Sequence, residues 1–272
     1  MQIESGQVAL VTGAASGIGR ALAVELGRRG VRLALADWDE TGLNETAAAL
    51  QTPVMAQKLD VSQRAAVEAF VAAVLAAWGQ IDLIVNNAGV TVLQRVQDAQ
   101  YSDLEWVLNV NFWGVVHGTQ AVLPGMLARR SGAIVNISSL YGMMGWPAQT
   151  AYCASKFAVR GYTEAMRHDL AGTGVTAVCV HPGGIDTAIV RNARFTSDDR
   201  GRTDRGKIER DFKRIARTSS EAAARIILDG LETGSQRVLV GTDAKLLTAL
   251  TRLVPERYFS VVRALEGLFR AK

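Results

Sequence analysis

The chain has 272 residues, of which 49% are hydrophobic and 21% are charged, and its formal net charge is +4. This composition excludes an intrinsically disordered chain and supplies enough apolar surface for one large core, so we expect residues 1–272 to form a single domain. Two cysteines exclude a disulfide-rich scaffold. Because there is also no signal-peptide pattern and no run of roughly 20 apolar residues, we expect a cytoplasmic protein without a transmembrane segment.

Short apolar runs alternate with longer helical patterns through most of the chain. The predicted strands are Val8–Val11, Val31–Ala36, Val54–Leu59, Asp82–Val85, Ala133–Ile137, Val175–Val180 and Arg237–Val240. The predicted helices are Gly17–Arg29, Leu43–Leu50, Arg64–Trp78, Leu104–Ala128 and Ala151–Leu170. Such alternation produces parallel strands with right-handed crossovers. We therefore predict an α/β fold of the Rossmann type, a doubly wound, seven-stranded parallel sheet with helices on both faces.

A glycine-rich turn joins the first predicted strand to the first predicted helix. Gly13 permits a tight turn, and Gly17 and Gly19 allow close approach of a pyrophosphate and close packing of the helix. The helix N-terminus, at Ser16 and Ile18, offers free N–H groups and a positive dipole end to phosphates. The position of these glycines between a strand and a helix predicts a dinucleotide site.

An acidic residue ends the second predicted strand. Asp37 follows Gly19 by 18 residues, close to the roughly 20 expected for the carboxylate that binds the adenosine ribose. A carboxylate there would repel a 2′-phosphate, and positions 16 and 38 carry no Arg or Lys to attract one. These features favour NAD over NADP as the cofactor.

Tyr152 and Lys156 are four residues apart in a predicted helix, so their side chains lie on one face. An ammonium close to a phenol favours the phenolate and is expected to lower its pKa. A tyrosine that exchanges protons near neutral pH needs this help.

Two further stretches depart from the alternating pattern. Residues 188–218 are too long and polar for an ordinary connection and are predicted to form a substrate lid. Within 191–217, ten Arg or Lys face five Asp or Glu, and the rest of the chain is nearly neutral, so we expect no nucleic-acid partner. Residues 243–272 carry amphipathic patterns and are predicted as a C-terminal helical extension. It could contact a membrane surface, but packing on the domain or on another subunit is preferred.

The sequence resembles the short-chain dehydrogenase/reductase family, in the branch with subunits of about 250 residues, over roughly 7–241. The motifs that carry the resemblance are TGAASGIG at 12–19, Asp60, NNAG at 86–89, Asn111, Ser139, YCASK at 152–156 and PGGIDT at 182–187. They occur in order and with spacing similar to that of the family. The resemblance implies a dehydrogenase or reductase that forms homodimers or homotetramers.

The resemblance also implies catalytic roles. Tyr152 is then the general acid in reduction and the general base in oxidation, and Ser139 holds the substrate oxygen. Lys156 lowers the pKa of the tyrosine and binds the nicotinamide ribose, and Asn111 holds a water in the proton relay. Ser139 is preferred to Ser138 because it lies 13 residues before Tyr152.

Other motif residues are implied to contact the cofactor. Asp60 and Val61 resemble residues at the adenine ring, and Asn87 and Gly89 shape the end of the fourth strand. Pro182, Gly183, Ile185 and Thr187 resemble the segment behind the nicotinamide. All of them follow strands, at the sheet edge where ligands bind.

Apolar side chains are expected to form the substrate pocket. The candidates are Tyr141, Met144, Trp146 and Ile189, which carry no charge. Because buried unpaired charge is costly, this wall favours a bulky apolar alcohol or ketone. The three histidines lack metal-ligand spacing, so we expect no metal.

Three functions are compatible with this set of residues. The preferred one is an NAD-dependent alcohol dehydrogenase or ketone reductase with Tyr152 as general acid and base. A 3-oxoacyl-thioester reductase is the second, although Asp37 and the C-terminal extension disfavour it. The third is a non-catalytic NAD-binding sensor or interaction protein, against which the complete catalytic set argues.

Overall fold

A computed structural model of the protein describes residues 1–198 and 201–270. Residues 199–200 of the predicted lid and residues 271–272 of the predicted extension lie outside this description. The strands are β1 Val8–Thr12, β2 Arg32–Asp37, β3 Val54–Lys58, β4 Leu83–Asn86, β5 Val92–Leu93, β6 Gly132–Ile137, β7 Val175–Pro182, β8 Arg194–Phe195 and β9 Arg237–Val240. The helices are α1 Gly17–Arg28, α2 Glu40–Ala48, α3 Arg64–Trp78, α4 Tyr101–Leu108, α5 Gly114–Arg129, α6 Thr150–Asp169, α7 Arg205–Ile215, α8 Ser220–Glu232, α9 Thr242–Leu253 and α10 Tyr258–Arg270.

Seven of these strands form one parallel sheet in the order β3-β2-β1-β4-β6-β7-β9. β1 lies inside it, so that Leu10 pairs with Ala34 on one side and with Ile84 on the other. The predicted seven-stranded parallel sheet is therefore confirmed.

Helices cover both faces of the sheet, as a doubly wound fold requires. On one face α1, α2 and α8 bury Ala9 and Val11 of β1. On the other face α3, α5 and α6 bury Val8 and Leu10 of the same strand. Because both faces are covered, β1 is buried along its whole length, which explains its continuous apolar run.

The predicted long helix over 104–128 is interrupted. A π-helical segment, Asn109–Trp113, lies between α4 and α5. Such segments insert an extra residue into a helical turn and are frequent at functional sites. Here the segment carries Asn111, whose side chain is fully buried.

Two features beyond the predicted elements lie in the second half of the chain, in addition to the helices of the predicted C-terminal extension. The 188–218 segment contains α7 and the short strand β8, which pairs with β5 in a separate two-stranded sheet. α8 packs on α1 and was not predicted. α9 and α10 form the C-terminal extension. In the parts of the chain that the structure describes, none of the helices combines the length and hydrophobicity needed to cross a membrane.

Candidate active site

The site lies where the sheet changes winding direction. The chain winds outward from β1 to β3 and then restarts at β4, on the other side of β1. Ligands of open α/β sheets bind at the carboxyl ends of the strands at such a point. A cavity of about 1350 Å³ opens there. Since a pocket for one small ligand is roughly 300 to 1,000 Å³, this cavity has room for a dinucleotide together with a substrate.

Most of the predicted site residues line this cavity. Gly19 and Asn111 do not, and lie behind its wall. The predicted residues that line it are Gly13, Ser16, Gly17, Ile18, Asp37, Asp60, Val61, Asn87, Gly89, Ser139, Tyr141, Met144, Trp146, Tyr152, Lys156, Pro182, Gly183, Ile185, Thr187 and Ile189.

The glycines of the first turn are required by close contacts. Gly13 has φ 67°, a conformation that other residues rarely adopt, and a Cβ there would lie 2.7 Å from Nδ2 of Asn87. A Cβ at Gly19 would overlap the carbonyl oxygen of Gly13. Gly19 therefore serves the packing of α1 against this turn, and Gly17 faces Thr187 across the cavity mouth.

The N-terminus of α1 is left available for a ligand. Ser16 is the N-cap residue, but its side chain makes no capping hydrogen bond to the first turn. The first N–H groups of a helix have no intrahelical partner, and the helix dipole is positive at this end. The residues present fit a pyrophosphate at Ser16, Gly17 and Ile18.

Asp37 lies at the carboxyl end of β2 and orders the glycine turn after β1. One carboxylate oxygen accepts the N–H of Ala15 at 2.8 Å, and the other accepts the N–H of Asp39 at 2.9 Å. A carboxylate has about four acceptor positions, so both oxygens retain capacity for ribose hydroxyls. Trp38 and Asp39 also line this end of the cavity, and neither is a cation that would attract a 2′-phosphate.

The adenine end and the end of β4 contain the other predicted cofactor residues. Asp60 accepts the N–H of Ser62 at 2.9 Å, which leaves its second oxygen at the cavity wall. Asn87 donates through Nδ2 to the carbonyl oxygens of Thr12 and Gly13 at 3.0 and 3.1 Å. This asparagine therefore joins the end of β4 to the glycine turn.

Tyr152, Lys156 and Ser139 come together at the other end of the cavity. α6 places the Nζ of Lys156 5.6 Å from the centre of the Tyr152 ring. Ser139 follows β6 and makes a hydrogen bond with the Tyr152 hydroxyl. The neighbouring Ser138 is turned away and donates to the carbonyl oxygen of Lys156 at 2.8 Å. This arrangement agrees with the choice of Ser139 over Ser138.

Burial controls the protonation of this pair. It raises the pKa of Tyr152 to about 12, while the hydrogen bond with Ser139 acts in the opposite direction. It also lowers the pKa of Lys156 to about 8, because a buried ammonium loses its hydration. Lys156 is not among the groups that set this shift, so the expected lowering of the Tyr152 pKa by Lys156 stays a prediction. The phenol keeps its proton at neutral pH, as a proton donor requires.

Lys156 is held by a backbone contact as well as by burial. Its Nζ donates to the carbonyl oxygen of Ile137 at 2.9 Å. A Cβ at Gly89 would lie 3.4 Å from the same Nζ and 3.3 Å from Oδ1 of Asn111. The glycine at the end of β4 therefore leaves the space through which the lysine reaches the cavity.

Asn111 connects three elements behind the catalytic pair. Its Nδ2 donates to the carbonyl oxygen of Val90 and to Oγ of Ser155, each at 2.9 Å, and its Oδ1 accepts the N–H of Val90 at 2.8 Å. The side chain thus fixes the loop after β4 against α6. Its predicted role in a proton relay remains a prediction.

The segment after β7 is fixed by a residue that the sequence did not reveal. Asp243, in the first turn of α9, accepts the N–H of Gly184 at 2.6 Å. A Cβ at Gly183 would overlap its carboxylate. Ile185 is buried, and Thr187 and Pro182 line the cavity. The C-terminal extension therefore supports the segment predicted to lie behind the nicotinamide.

The predicted substrate residues form an aromatic and apolar wall. Tyr141 and Trp146 stack with ring centroids 5.9 Å apart, and Tyr141 meets the Tyr152 ring edge-on at 6.2 Å. Met144 is buried and Ile189 is half-buried, and both line the cavity.

Residues of the 188–218 segment also line the cavity, and the segment is anchored at β8. The guanidinium of Arg194 lies 3.8 Å from the centre of the Trp106 ring and pairs with Asp103 at 2.8 Å. Arg202 pairs with Asp198 at 2.6 Å and with Asp211 at 3.3 Å. Part of the basic charge near the cavity is therefore neutralised within the segment.

No metal chemistry is indicated by the side chains. Within 1–198 and 201–270, no three His, Cys, Asp or Glu residues are grouped closely enough to hold a metal ion. His181 is buried, and burial lowers its pKa to about 4, so the ring is neutral. Its Nδ1 lies 3.0 Å from the carbonyl oxygen of Ser139, a contact that supports the catalytic serine.

Comparisons with known proteins agree with this geometry. The model of the short chain dehydrogenase family matches residues 7–198. The chain is 44% identical to a Mycobacterium tuberculosis protein named as the oxidoreductase SadH, over 95% of each chain. It is 38% identical to the 3-oxoacyl-[acyl-carrier-protein] reductase FabG of Thermotoga maritima, over 69% of this chain and 77% of that one.

Solved structures resemble most of the chain. A short chain dehydrogenase/reductase from Burkholderia phymatum in complex with NAD has a TM-score of 0.85 and 30% identity, covering 94% of this chain and 96% of that one. The closed form of a serine dehydrogenase complexed with NADP⁺ has a TM-score of 0.77 and 28% identity, covering 86% and 94%. Neighbours of this fold therefore bind either nicotinamide dinucleotide.

Proposed function

The chain belongs to the short-chain dehydrogenase/reductase family of oxidoreductases, and we propose that it is an NAD-dependent alcohol dehydrogenase or ketone reductase. Its substrate is a secondary alcohol or ketone on a bulky apolar frame. The observation that carries the proposal is the grouping of Tyr152, Ser139 and Lys156 at the apolar end of a dinucleotide-sized cavity.

The chemistry follows from the protonation of these groups. When bound, the nicotinamide ring supplies or accepts the hydride at the substrate carbon. Ser139 binds the substrate oxygen beside Tyr152, whose phenol donates its proton to that oxygen during reduction. The ammonium of Lys156 stabilises the phenolate that remains. In oxidation the same phenolate takes the proton of the alcohol. Asn111 holds the loop after β4 in place behind this pair.

The choice of NAD rests on Asp37. Its carboxylate lies at the end of β2, keeps free acceptor capacity and would repel a 2′-phosphate. The cofactor residues proposed are those at the glycine turn, at Asp60 and Val61, at Asn87 and Gly89, and at 182–187, together with Tyr152 and Lys156.

The choice of an apolar substrate rests on the cavity wall. Tyr141, Met144, Trp146 and Ile189 offer rings and apolar atoms but no charge. Burying a charged substrate group there without a partner is unfavourable, whereas an apolar frame gains from leaving water.

Turnover with a panel of ketones and alcohols tests the proposal. Native protein is expected to consume NADH with aryl or polycyclic ketones, and Tyr152→Phe is expected to lose roughly 10²- to 10⁴-fold in kcat while still binding NADH. Tyr162→Phe, on the same helix and outside the cavity, is the matched control. Equal turnover by native and Tyr152→Phe protein would refute the mechanism. Binding of NADH without any turnover would favour a non-catalytic sensor.

A second candidate is a 3-oxoacyl-thioester reductase, favoured by the identity to FabG. Asp37 and the C-terminal extension argue against it. Steady-state kinetics distinguish the ketone reductase from the thioester reductase. A higher kcat/KM for acetoacetyl thioesters with NADPH than for apolar ketones with NADH would favour the thioester reaction.

We also propose a cytoplasmic homodimer or homotetramer. The helical elements that carry Asn111 and Tyr152 expose Trp113 and Phe157, and exposed aromatic side chains are typical of subunit interfaces. Sedimentation velocity of the native protein and of Phe157→Asp tests the oligomeric state. A monomeric native protein would rule out the proposed homodimer or homotetramer.

A further inference from the structure

We propose that the C-terminal extension, Thr242–Arg270, is a wall of the substrate pocket, and that Phe259 positions Trp146 to select substrates with a flat aromatic or fused-ring frame. The inference rests on the proposed function, because it concerns the pocket of that reaction. It adds a specificity element that lies more than a hundred residues from the catalytic tyrosine in sequence.

The first support is a pair of hydrogen bonds between α10 and the segment that precedes α6. The hydroxyl of Tyr258 accepts the N–H of Gly145 and donates to the carbonyl oxygen of Gly145, both at 3.1 Å. Two bonds to the backbone of one residue fix the start of α10 against Gly145, which precedes Trp146.

The second support is a chain of aromatic contacts from the extension to the catalytic hydroxyl. Phe259 meets Trp146 edge-on, with ring centroids 5.6 Å apart and an interplanar angle of 81°. Trp146 stacks on Tyr141 with an interplanar angle of 10°, and Tyr141 meets the Tyr152 ring at 88°. Edge-to-face and offset-stacked pairs are the favourable aromatic geometries, so each ring orients the next.

The third support is that the extension contacts the cavity lining at more than one point. Leu247 of α9 and Val262 of α10 line the cavity directly. Asp243 accepts the N–H of Gly184 in the segment after β7, which also lines it. The extension thus forms part of the cavity lining and fixes a second part of it.

The orientation of the rings indicates the kind of substrate. Trp146 and Tyr141 line the cavity as a stacked pair with nearly parallel planes. A flat ring system can extend such a stack over its whole face, whereas a puckered saturated ring makes fewer contacts at optimal distance. Phe259 does not line the cavity and acts by holding Trp146 in this plane.

Two ketones with the same carbon frame provide the test, namely 2-acetonaphthone, which is flat, and 2-acetyldecalin, which is puckered. Their dissociation constants are measured by calorimetry on protein saturated with NAD⁺, which cannot reduce a ketone. We expect native protein to prefer the flat ketone by about tenfold or more, and Phe259→Ala and Trp146→Ala to reduce this preference to nearly one. Phe259→Tyr, which keeps the ring, should retain it.

Leu253→Ala is the matched control, because Leu253 is 80% exposed on the same extension. It should leave the preference unchanged. Thermal unfolding shows whether each variant is folded. Tyr258→Phe removes the hydroxyl through which α10 binds Gly145, so it should also lower the preference for the flat ketone. No preference in native protein, or the native preference in folded Phe259→Ala, would overturn the inference. Flat-ketone binding without turnover on NADH would instead contradict the proposed function and leave the pocket wall supported.

Discussion

The carboxylate of Asp37 accepts the backbone N–H of Ala15 across 2.8 Å, which joins the end of β2 to the glycine turn after β1. The same side chain accepts the N–H of Asp39 at 2.9 Å. Asp37 therefore has two effects on a dinucleotide. It repels a 2′-phosphate through its charge, and it orders the turn that would bind the pyrophosphate.

Asp37→Asn is expected to separate these effects. The amide oxygen can still accept the N–H of Ala15, but the negative charge is gone. We expect the ratio of the NADPH to the NADH dissociation constant to fall by about tenfold, because one unfavourable charge contact is removed. Fluorescence titration with each cofactor measures the ratio.

Glu40→Gln is the control for this experiment. Glu40 is exposed and close in sequence, but it pairs with Lys58 and does not line the cavity. It should leave the ratio unchanged. If Asp37→Asn also left the ratio unchanged, the stated reason for preferring NAD would be removed.

The two adjacent serines after β6 are expected to respond differently to the same substitution. Ser139→Ala removes the hydroxyl beside Tyr152 and should lower kcat/KM by roughly 10²-fold with little change in stability. Ser138→Ala removes a buried hydrogen bond to the carbonyl oxygen of Lys156 and should cost about 1 kcal/mol of unfolding free energy. Steady-state kinetics and urea unfolding measure both variants, and a larger kinetic loss in Ser138→Ala would reverse the assignment.

Local sequence patterns were sufficient for the central strands and for the pair of Tyr152 and Lys156. The apolar run of β1 marks a strand that is covered on both faces, and the structure places it inside the sheet. Tyr152 and Lys156 share a helix face at a spacing of four, and α6 brings them to one end of the cavity.

The features that were not predicted differ in the signal that they leave in the sequence. α8 buries Ala223, Ala224, Ile227, Leu228 and Leu231 at helical spacing, so an amphipathic pattern was available there. The π-helical segment around Asn111 depends on one extra residue in a turn, which periodicity does not reveal. The bonds from Asp243 to Gly184 and from Tyr258 to Gly145 join residues 59 and 113 positions apart, so only the folded chain shows them.

Arg194 is expected to control the mobility of the 188–218 segment, whose residues line part of the pocket. Arg194→Ala removes the contact with the Trp106 ring and the ion pair with Asp103. The strand pair beside it is held by few bonds, including Thr196 N–H to the carbonyl oxygen of Leu93 at 3.0 Å. We expect the amide of Thr196 to exchange with deuterium several times faster, because exchange follows local opening.

Arg191→Ala is the comparison for this substitution, since Arg191 is exposed in the same segment. It should leave the exchange rate unchanged. Arg194→Lys should fall between the two, because it keeps the charge but loses the planar contact with the ring. Unchanged exchange in Arg194→Ala would show that the segment is anchored elsewhere.

Lys156 is expected to make stability depend on pH in a defined interval. Burial lowers its pKa from 10.5 to about 8 in the folded protein. Between these values the unfolded chain binds more protons than the folded one, so the free energy of unfolding rises with pH. This contribution is complete above the unfolded pKa and is lost as the pH falls through about 8.

Lys156→Met removes this titration while keeping a side chain of similar length. We expect the free energy of unfolding of native protein, relative to Lys156→Met, to increase by about 2 kcal/mol between pH 8 and pH 10, since one pKa unit corresponds to about 1.4 kcal/mol. Urea unfolding at a series of pH values measures the difference. Lys58→Met is the control, because Lys58 is exposed and should show no such rise. A constant difference between native and Lys156→Met protein across this interval would mean that Lys156 keeps its ordinary pKa in the site, and that burial does not govern its protonation.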